Sequence, residues 1–251
     1  MKKISIKKIQ KKKGKDSITC LTAYSRVTSE IADKYCDIIL VGDSLSMTLY
    51  GMKNTREVRF ETMLEHAKTV KKFAKKSLVV FDMPYKTYTN KFIAYKNAKK
   101  AFKVTKCDAV KLEGGRSISN TIRYLVNKGI PVMGHVGLLP QSTSRYKLQG
   151  KSLIQKKRIL EDAISVSKSG AFAVVIECVV ENLAKTITSK VSIPTIGIGA
   201  SKFCDGQVLV FDDVIGLTSF KPKFVKRYSN VKRIIDQSIN NYCNDVKKKI
   251  F

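Results

Sequence analysis

The sequence predicts an α/β protein whose parallel strands close into a (β/α)8 TIM barrel. Three observations carry this. Eight short apolar, β-branched runs recur along the chain, amphipathic helical stretches separate most of them, and the length is 251 residues. One barrel needs ~250 residues, and near-continuous apolar strands flanked by helices belong to a parallel sheet covered on both faces. No Pro/Gly/Ser-rich stretch divides the chain, so residues 1–251 read as one domain, with residues 1–16 a basic N-terminal extension that has room for a short helix.

The expected strands are Ile18–Tyr24, Asp37–Val41, Ser77–Phe81, Ala109–Leu112, Pro131–Val136, Ala171–Ile176, Pro194–Ile198 and Gln207–Phe211. Helical periodicity fills Val27–Lys34, Phe60–Lys75, Lys91–Val104, Ile118–Asn127, Leu153–Ser169 and Glu181–Ser189, and a last helix runs from about Val231 to Lys248. Between the seventh and eighth strands, Gly199–Gly206 is too short and Gly-rich for a helix, so that helix is reduced or missing.

The net charge is +28, from 48 basic and 20 acidic residues. Nine of the 48 are Arg and 39 are Lys. Base readout and phosphate forks favour Arg, so this balance argues against a nucleic-acid reader and for a solvated Lys-rich surface. A weaker reading is that the field recruits an anionic substrate. The six cysteines show no CxxC pair and read as free thiols of a reducing compartment. The basic N-terminus lacks a following apolar stretch, and no window approaches ~20 apolar residues, so neither a secretory signal nor a membrane span is expected. The expected location is the cytoplasm.

Active sites of such barrels sit where each strand gives way to its loop. Five consecutive strands place an ionisable group there: Asp43 after the second, Asp82 after the third, Glu113 after the fourth, His135 at the fifth and Glu177 at the sixth. Alone, an Asp after a strand is most often a cap or turn residue. Together, Asp43, Asp82 and Glu113 are expected to converge, and buried like charges repel unless a cation or shared protons compensate. Hard oxygen donors without a clustered His or Cys suit Mg2+. Lys111, two residues before Glu113, shares its side of the strand, while Val110 and Leu112 face the helices. It reads as an ion-pair partner of these acids or as a site for a substrate carboxylate. Ser44 offers a hydroxyl beside Asp43. His135 reads as a hydrogen-bonding partner behind these groups, His66 as structural, and Gly197-Ile198-Gly199-Ala200 as a tight turn rather than a phosphate cradle.

These stretches resemble the ketopantoate hydroxymethyltransferase (3-methyl-2-oxobutanoate hydroxymethyltransferase) family. The resemblance rests on Leu21-Thr22-Ala23-Tyr24, Leu40-Val41-Gly42-Asp43-Ser44-Leu45, Asp82-Met83-Pro84, Val110-Lys111-Leu112-Glu113-Gly114-Gly115, Pro131–Leu138, Pro140-Gln141-Ser142 and Ile176-Glu177-Cys178-Val179. Ile193–Ala200, Asp205–Val210 and Pro222–Lys226 continue it, in uninterrupted order over roughly residues 5–245. It implies transfer of the methylene of 5,10-methylenetetrahydrofolate to 3-methyl-2-oxobutanoate through a Mg2+-stabilised enolate, giving 2-dehydropantoate for pantothenate and coenzyme A. It also implies Asp43, Asp82 and Glu113 at the metal, Asp43, Ser44, Asp82 and Lys111 at the oxo acid, and Glu177 as proton acceptor. A homo-oligomer, commonly a decamer, is implied as well.

The chain departs from the family pattern at Ser25-Arg26, Ser46, Asn54–Val58, Ser201 and a shortened Ser142–Lys147, none of which touches an expected ligand or the base. The nearest rival reading is a folate-independent Mg2+-dependent enolate lyase or mutase of the isocitrate lyase or phosphoenolpyruvate mutase kind. A basic nucleic-acid-binding protein is the more distant rival.

Overall fold

A computed structural model describes residues 3–143, 146–219 and 222–250. Its strands are β1 (Ile18–Thr22), β2 (Ile38–Val41), β3 (Leu78–Asp82), β4 (Ala109–Glu113), β5 (Val132–Gly137), β6 (Ala173–Glu177), β7 (Thr195–Ile198) and β8 (Gly206–Leu209). All neighbours pair in parallel and in chain order, and β8 returns to β1, so the expected closed barrel forms. The helices are α1 (Ile6–Lys11), α2 (Arg26–Tyr35), α3 (Leu45–Thr48), α4 (Phe60–Phe73), α5 (Lys91–Thr105), α6 (Ser119–Asn127), α7 (Leu153–Lys168), α8 (Glu181–Lys190), α9 (Phe211–Val214) and α10 (Val231–Lys247). Between β7 and β8 the chain crosses without a helix, as its glycines suggested.

Local chemistry starts the main helices. Ser25 closes a capping box on α2, Asn90 accepts from the Phe92 and Ile93 amides of α5, and Ser152 accepts from Gln155 of α7. Buried Ala94, Ala98 and Ala101 form a small-residue stripe on α5.

Alternation along each strand divides the core in two. Ile39, Val41, Val79, Phe81, Val110, Leu112, Val174 and Ile176 face outward into the layer shared with the helices. Ile38, Leu40, Leu78, Val80, Ala109, Met133, Ala173 and Val175 fill the barrel's inside. The same period of two therefore turns Asp82, Lys111, Glu113, His135 and Glu177 inward above these apolar residues.

Four strands (β3 to β6) run one residue past their expected ends, and two stop two residues short. β1 stops at Thr22, leaving Tyr24 in the loop, and β8 ends at Leu209. Phe211 instead opens α9, and its N–H donates to Thr22 Oγ1 (3.1 Å).

The basic extension is a plug. Ile4 and Ile9 are buried against Ile18, Ile38 and Leu78 at the amino end of the barrel. Lys12 pairs with Asp37 (2.8 Å), and Lys13 with Asp205 (2.8 Å), which also accepts from Gly14 N–H (2.9 Å) and Thr195 N–H (2.8 Å). Burial raises the Asp205 carboxyl, but Lys13 and the two amides outweigh it and hold it below the usual carboxylate range. A carboxyl depressed in the folded state stabilises it above the unfolded value of about 4, and that contribution is lost as pH falls. Asp205→Asn is thus expected to lower the urea midpoint at pH 7 and to weaken its fall toward pH 3. An unchanged pH dependence contradicts the clasp.

Candidate active site

The carboxyl end of the barrel is built by register. Asp82 lies opposite Lys111, Glu113 opposite His135, and Gly137 opposite Glu177. Lys111 Nζ is 2.8 Å from Asp82 Oδ1, 3.6 Å from Glu113 Oε1 and 3.4 Å from His135 Nδ1. His135 Nδ1 lies 3.5 Å from Glu113 Oε1, and its Nε2 lies 3.3 Å from Glu177 Oε2. Asp43 stands two residues beyond β2, and its N–H donates to Asp82 Oδ2 (3.2 Å). Ser44 Oγ shares a hydrogen bond with the Tyr24 hydroxyl (2.7 Å). Asp43, Asp82, Lys111, Glu113 and His135 are all at most 6 % exposed.

Burial governs their ionisation. Burial, then repulsion from Asp82 and Glu113, pushes the Asp43 carboxyl well above its ordinary value. Burial also raises Asp82 despite Lys111. At Glu113 burial acts the same way, but Lys111 and His135 outweigh it and hold the carboxyl below its usual range. Burial alone would discharge Lys111, yet Asp82, Glu113 and Asp43 hold its ammonium more firmly than in water. Burial and Lys111 both oppose a charge on His135, and the carboxylates Glu113 and Glu177 overcome them, raising it to about 9.

A residue that the strand pattern could not reveal ties this cluster together. Gln141, 2 % exposed, comes from the loop after β5. Its N–H donates to Glu113 Oε2 (3.0 Å), and its side-chain amide donates to Asp43 Oδ2 (2.8 Å) and to Met83 O (3.0 Å). Its carbonyl accepts from the Tyr88 hydroxyl, which in turn receives the Glu113 N–H (3.3 Å). The signal available was Pro140-Gln141-Ser142 itself, a polar side chain in a loop just past an apolar strand. Tyr146, exposed on the same loop, has its phenol raised by partial desolvation and then by Glu177, Asp43 and Glu113. Ser144 and Arg145 of the shortened segment lie outside the described residues.

Four carboxyl groups meet one lysine and one histidine here, an excess of hard anionic oxygen that suits Mg2+. Among the described residues no three His, Cys, Asp or Glu side chains already surround one point at ligand distance. Lys111 and Gln141 engage Asp82, Glu113 and Asp43 instead. The chemistry of the residues fits the ion. His66 stands apart, its Nδ1 2.6 Å from Tyr24 O and its Nε2 3.0 Å from Tyr50 Oη.

Fold and site together define a parallel β/α-barrel enzyme that gathers ionisable groups at the carboxyl ends of β2 to β6. The sequence profile described as ketopantoate hydroxymethyltransferase matches residues 3–251. A 3-methyl-2-oxobutanoate hydroxymethyltransferase of Pelagibacter ubique is 49% identical over 241 residues, covering 96% of this chain and 94% of the relative. Its counterpart from Bartonella tribocorum is 46% identical over 255 residues, covering 100% and 94%. The chain belongs to the ketopantoate hydroxymethyltransferase family. Among solved structures, a phosphonopyruvate hydrolase superposes with a TM-score of 0.67 at 9% identity, covering 99% of this chain and 88% of that one. The phosphoenolpyruvate phosphomutase of Streptomyces platensis subsp. rosaceus gives 0.64 at 11% identity, covering 98% and 88%. At such identities the likeness is one of fold.

Gln141→Leu keeps the volume but strips Asp43 Oδ2 and Met83 O of a donor and Tyr88 of its acceptor. Leaving buried polar groups unpaired costs about 1–3 kcal/mol. The variant should lose that much in urea denaturation, and wild-type stability would show that the amide does not hold the cluster.

Proposed function

We propose that the chain, acting as one domain over residues 1–251, adds the one-carbon unit of 5,10-methylenetetrahydrofolate to C3 of 3-methyl-2-oxobutanoate. The product is 2-dehydropantoate, on the way to pantothenate and coenzyme A. The reading rests on the buried arc of Asp43, Asp82, Lys111, Glu113, His135 and Glu177 at the barrel mouth of a member of this family.

The hydrogen on C3 of the oxo acid is too weakly acidic for a carboxylate to remove unaided. Held by Asp43, Asp82 and Glu113, a Mg2+ ion would polarise the 2-oxo group and stabilise the negative charge that deprotonation creates. Lys111 and Ser44 bind the substrate carboxylate, Lys111 by charge and Ser44 through a hydroxyl oriented by Tyr24. Asp43 and Asp82 also border this oxo-acid site. Glu177 takes the C3 proton as general base. His135, between Glu113 and Glu177, orients that carboxylate. C3 then attacks the methylene carbon, one C–C bond forms, the bonds from that carbon to the folate nitrogens are broken, water supplies the hydroxyl oxygen and tetrahydrofolate leaves.

The assay follows 2-dehydropantoate formation with and without the folate. Glu177→Gln is expected to bind the oxo acid normally and to lose hydrogen exchange at C3 by about 100-fold or more. Exchange at the wild-type rate removes Glu177 from the base role, and product formed without any folate overturns the reading in favour of a folate-independent enolate enzyme.

A second copy of this chain is the proposed partner. Helix α10 has no buried residue and exposes Ile234, Ile235, Ile239 and Val246 along one stripe, the pattern of a helix face that packs on another subunit. The family resemblance, whose members commonly form decamers, supports a decameric assembly. Sedimentation at micromolar concentration is expected to show a large homo-oligomer, and a monomer would refute it. No helix among the described residues is long and apolar enough to cross a membrane, and the Lys-dominated charge supports no nucleic-acid partner. A cytoplasmic location agrees with the free cysteines.

A further inference from the structure

We propose that the folate donor lies in the cavity between the upper half of α7 and the ends of β4 and β5, with its methylene carried toward Glu177 past Gly137 and Ser142. This rests on the reading above and adds a site for the second substrate.

The cavity has a volume of about 490 Å³, within the range of small-ligand sites, roughly 300–1,000 Å³. Its position is the first argument. Gly137 and Ser142 line it. Gly137 is the register partner of Glu177, and Ser142 follows Gln141, whose N–H binds Glu113. The cavity wall is thus one residue from both the base and the acid cluster. The wall is also close-packed. Gly137 has φ +95°, and a Cβ there would meet the Glu177 backbone O at 2.4 Å and Val179 Cγ2 at 2.6 Å, so at this point the cavity wall rests directly on the backbone of the residue that carries the base.

Chemistry is the second argument. The donor is a flat heteroaromatic ring joined to an aromatic amide with a glutamate tail. Val136, Leu138, Leu139 and Ile159 supply an apolar wall for the rings, with Arg116 and Arg158 at the same cavity. These are two of only nine arginines in the chain, and a guanidinium fork suits a carboxylate. Arg116 is already shared with Glu161 (3.0 Å) and with Asp162 (3.8 Å), an acid that also lines the cavity, which leaves the tail to Arg158.

A second cavity of about 540 Å³ opens beside Tyr24, Tyr50 and His66. It backs onto Tyr24, hence onto Ser44 and the end of the oxo acid that carries its carboxylate. C3 lies at the other end, beside Glu177. Its arginines, Arg26 and Arg59, share the cavity with Glu61 and Glu65, and Arg26 pairs with Glu30 (3.0 Å).

The two halves of the reaction separate the outcomes. Hydrogen exchange at C3 needs no folate, whereas product formation does. Leu139→Trp fills the cavity and Arg158→Ala removes the tail contact, while Arg59→Ala serves as a control in the other cavity. Leu139→Trp should raise the folate KM, and the Kd for tetrahydrofolate from fluorescence titration, at least about tenfold. Arg158→Ala should raise both several-fold. In each, C3 exchange and the oxo-acid KM should stay within about twofold of wild type. Thermal unfolding checks that the barrel is intact. Unchanged folate KM and Kd in Leu139→Trp overturn the assignment, as does a rise seen only in Arg59→Ala, which points to the other cavity. Wild-type enzyme that fails to exchange C3 hydrogen sinks the proposed function itself, and the donor site with it.

Discussion

The site depends on a charge imbalance that the barrel enforces by burial. Three carboxyl groups and one ammonium sit in an interior that exposes at most 6 % of any of them, with a second cation available at His135. Asp43 and Asp82 are driven toward their neutral forms, whereas Glu113 is held ionised by Lys111 and His135. Such an arrangement is expensive unless further positive charge enters or protons are retained. The apolar layers beneath it, Leu78, Val80, Ala109, Met133 and Val175, give these groups no polar escape. Under the proposed function a hard divalent cation would resolve the imbalance, bringing its charge to the place where negative charge must develop on a 2-oxo acid.

What holds the imbalance in place is hydrogen bonding from the loops. The strands deliver Asp82, Lys111, Glu113, His135 and Glu177 by alternation, but Asp43 lies beyond its strand and is steered by Gln141 and by its own N–H to Asp82. The loop after β5 therefore serves the acid cluster on one side, through Gln141, and borders the neighbouring cavity on the other, through Leu138, Leu139 and Ser142. The opposite end of the barrel has a simpler task. There the amino-terminal plug buries Ile4 and Ile9, and Lys12 and Lys13 fasten it to carboxylates at the start of β2 and just before β8.

Much of this could be read from the chain because period and burial coincide. Apolar runs such as Ile38–Val41 and Leu78–Phe81 are buried on both faces, so the sequence shows them without interruption, and the two-residue spacing of Lys111 and Glu113 already placed both on one side. The misreadings fall where a side chain overrides that pattern. Leu21–Tyr24 looks like a continuing strand, yet β1 ends when Thr22 turns its hydroxyl to the Phe211 amide, and that same bond ends the run after β8. Gln141 escaped because a glutamine in a loop has no periodicity, and its value comes from residues 28 and 98 positions away in the chain. The two isoleucines of the plug were hidden among lysines. The α10 stripe was legible as a helix but not as an exposed one, since periodicity marks an apolar face without saying what, if anything, covers it.

Under the proposed function the acid cluster at the barrel mouth, loaded with a divalent cation, activates the C3 hydrogen of a 2-oxo acid. Deuterium exchange into 3-methyl-2-oxobutanoate, followed by NMR with wild-type protein and no folate present, tests it most directly. The account predicts exchange that depends on Mg2+, stops on chelation and returns when the ion is restored. Exchange that is indifferent to chelation, or no exchange with Mg2+ present, would contradict it.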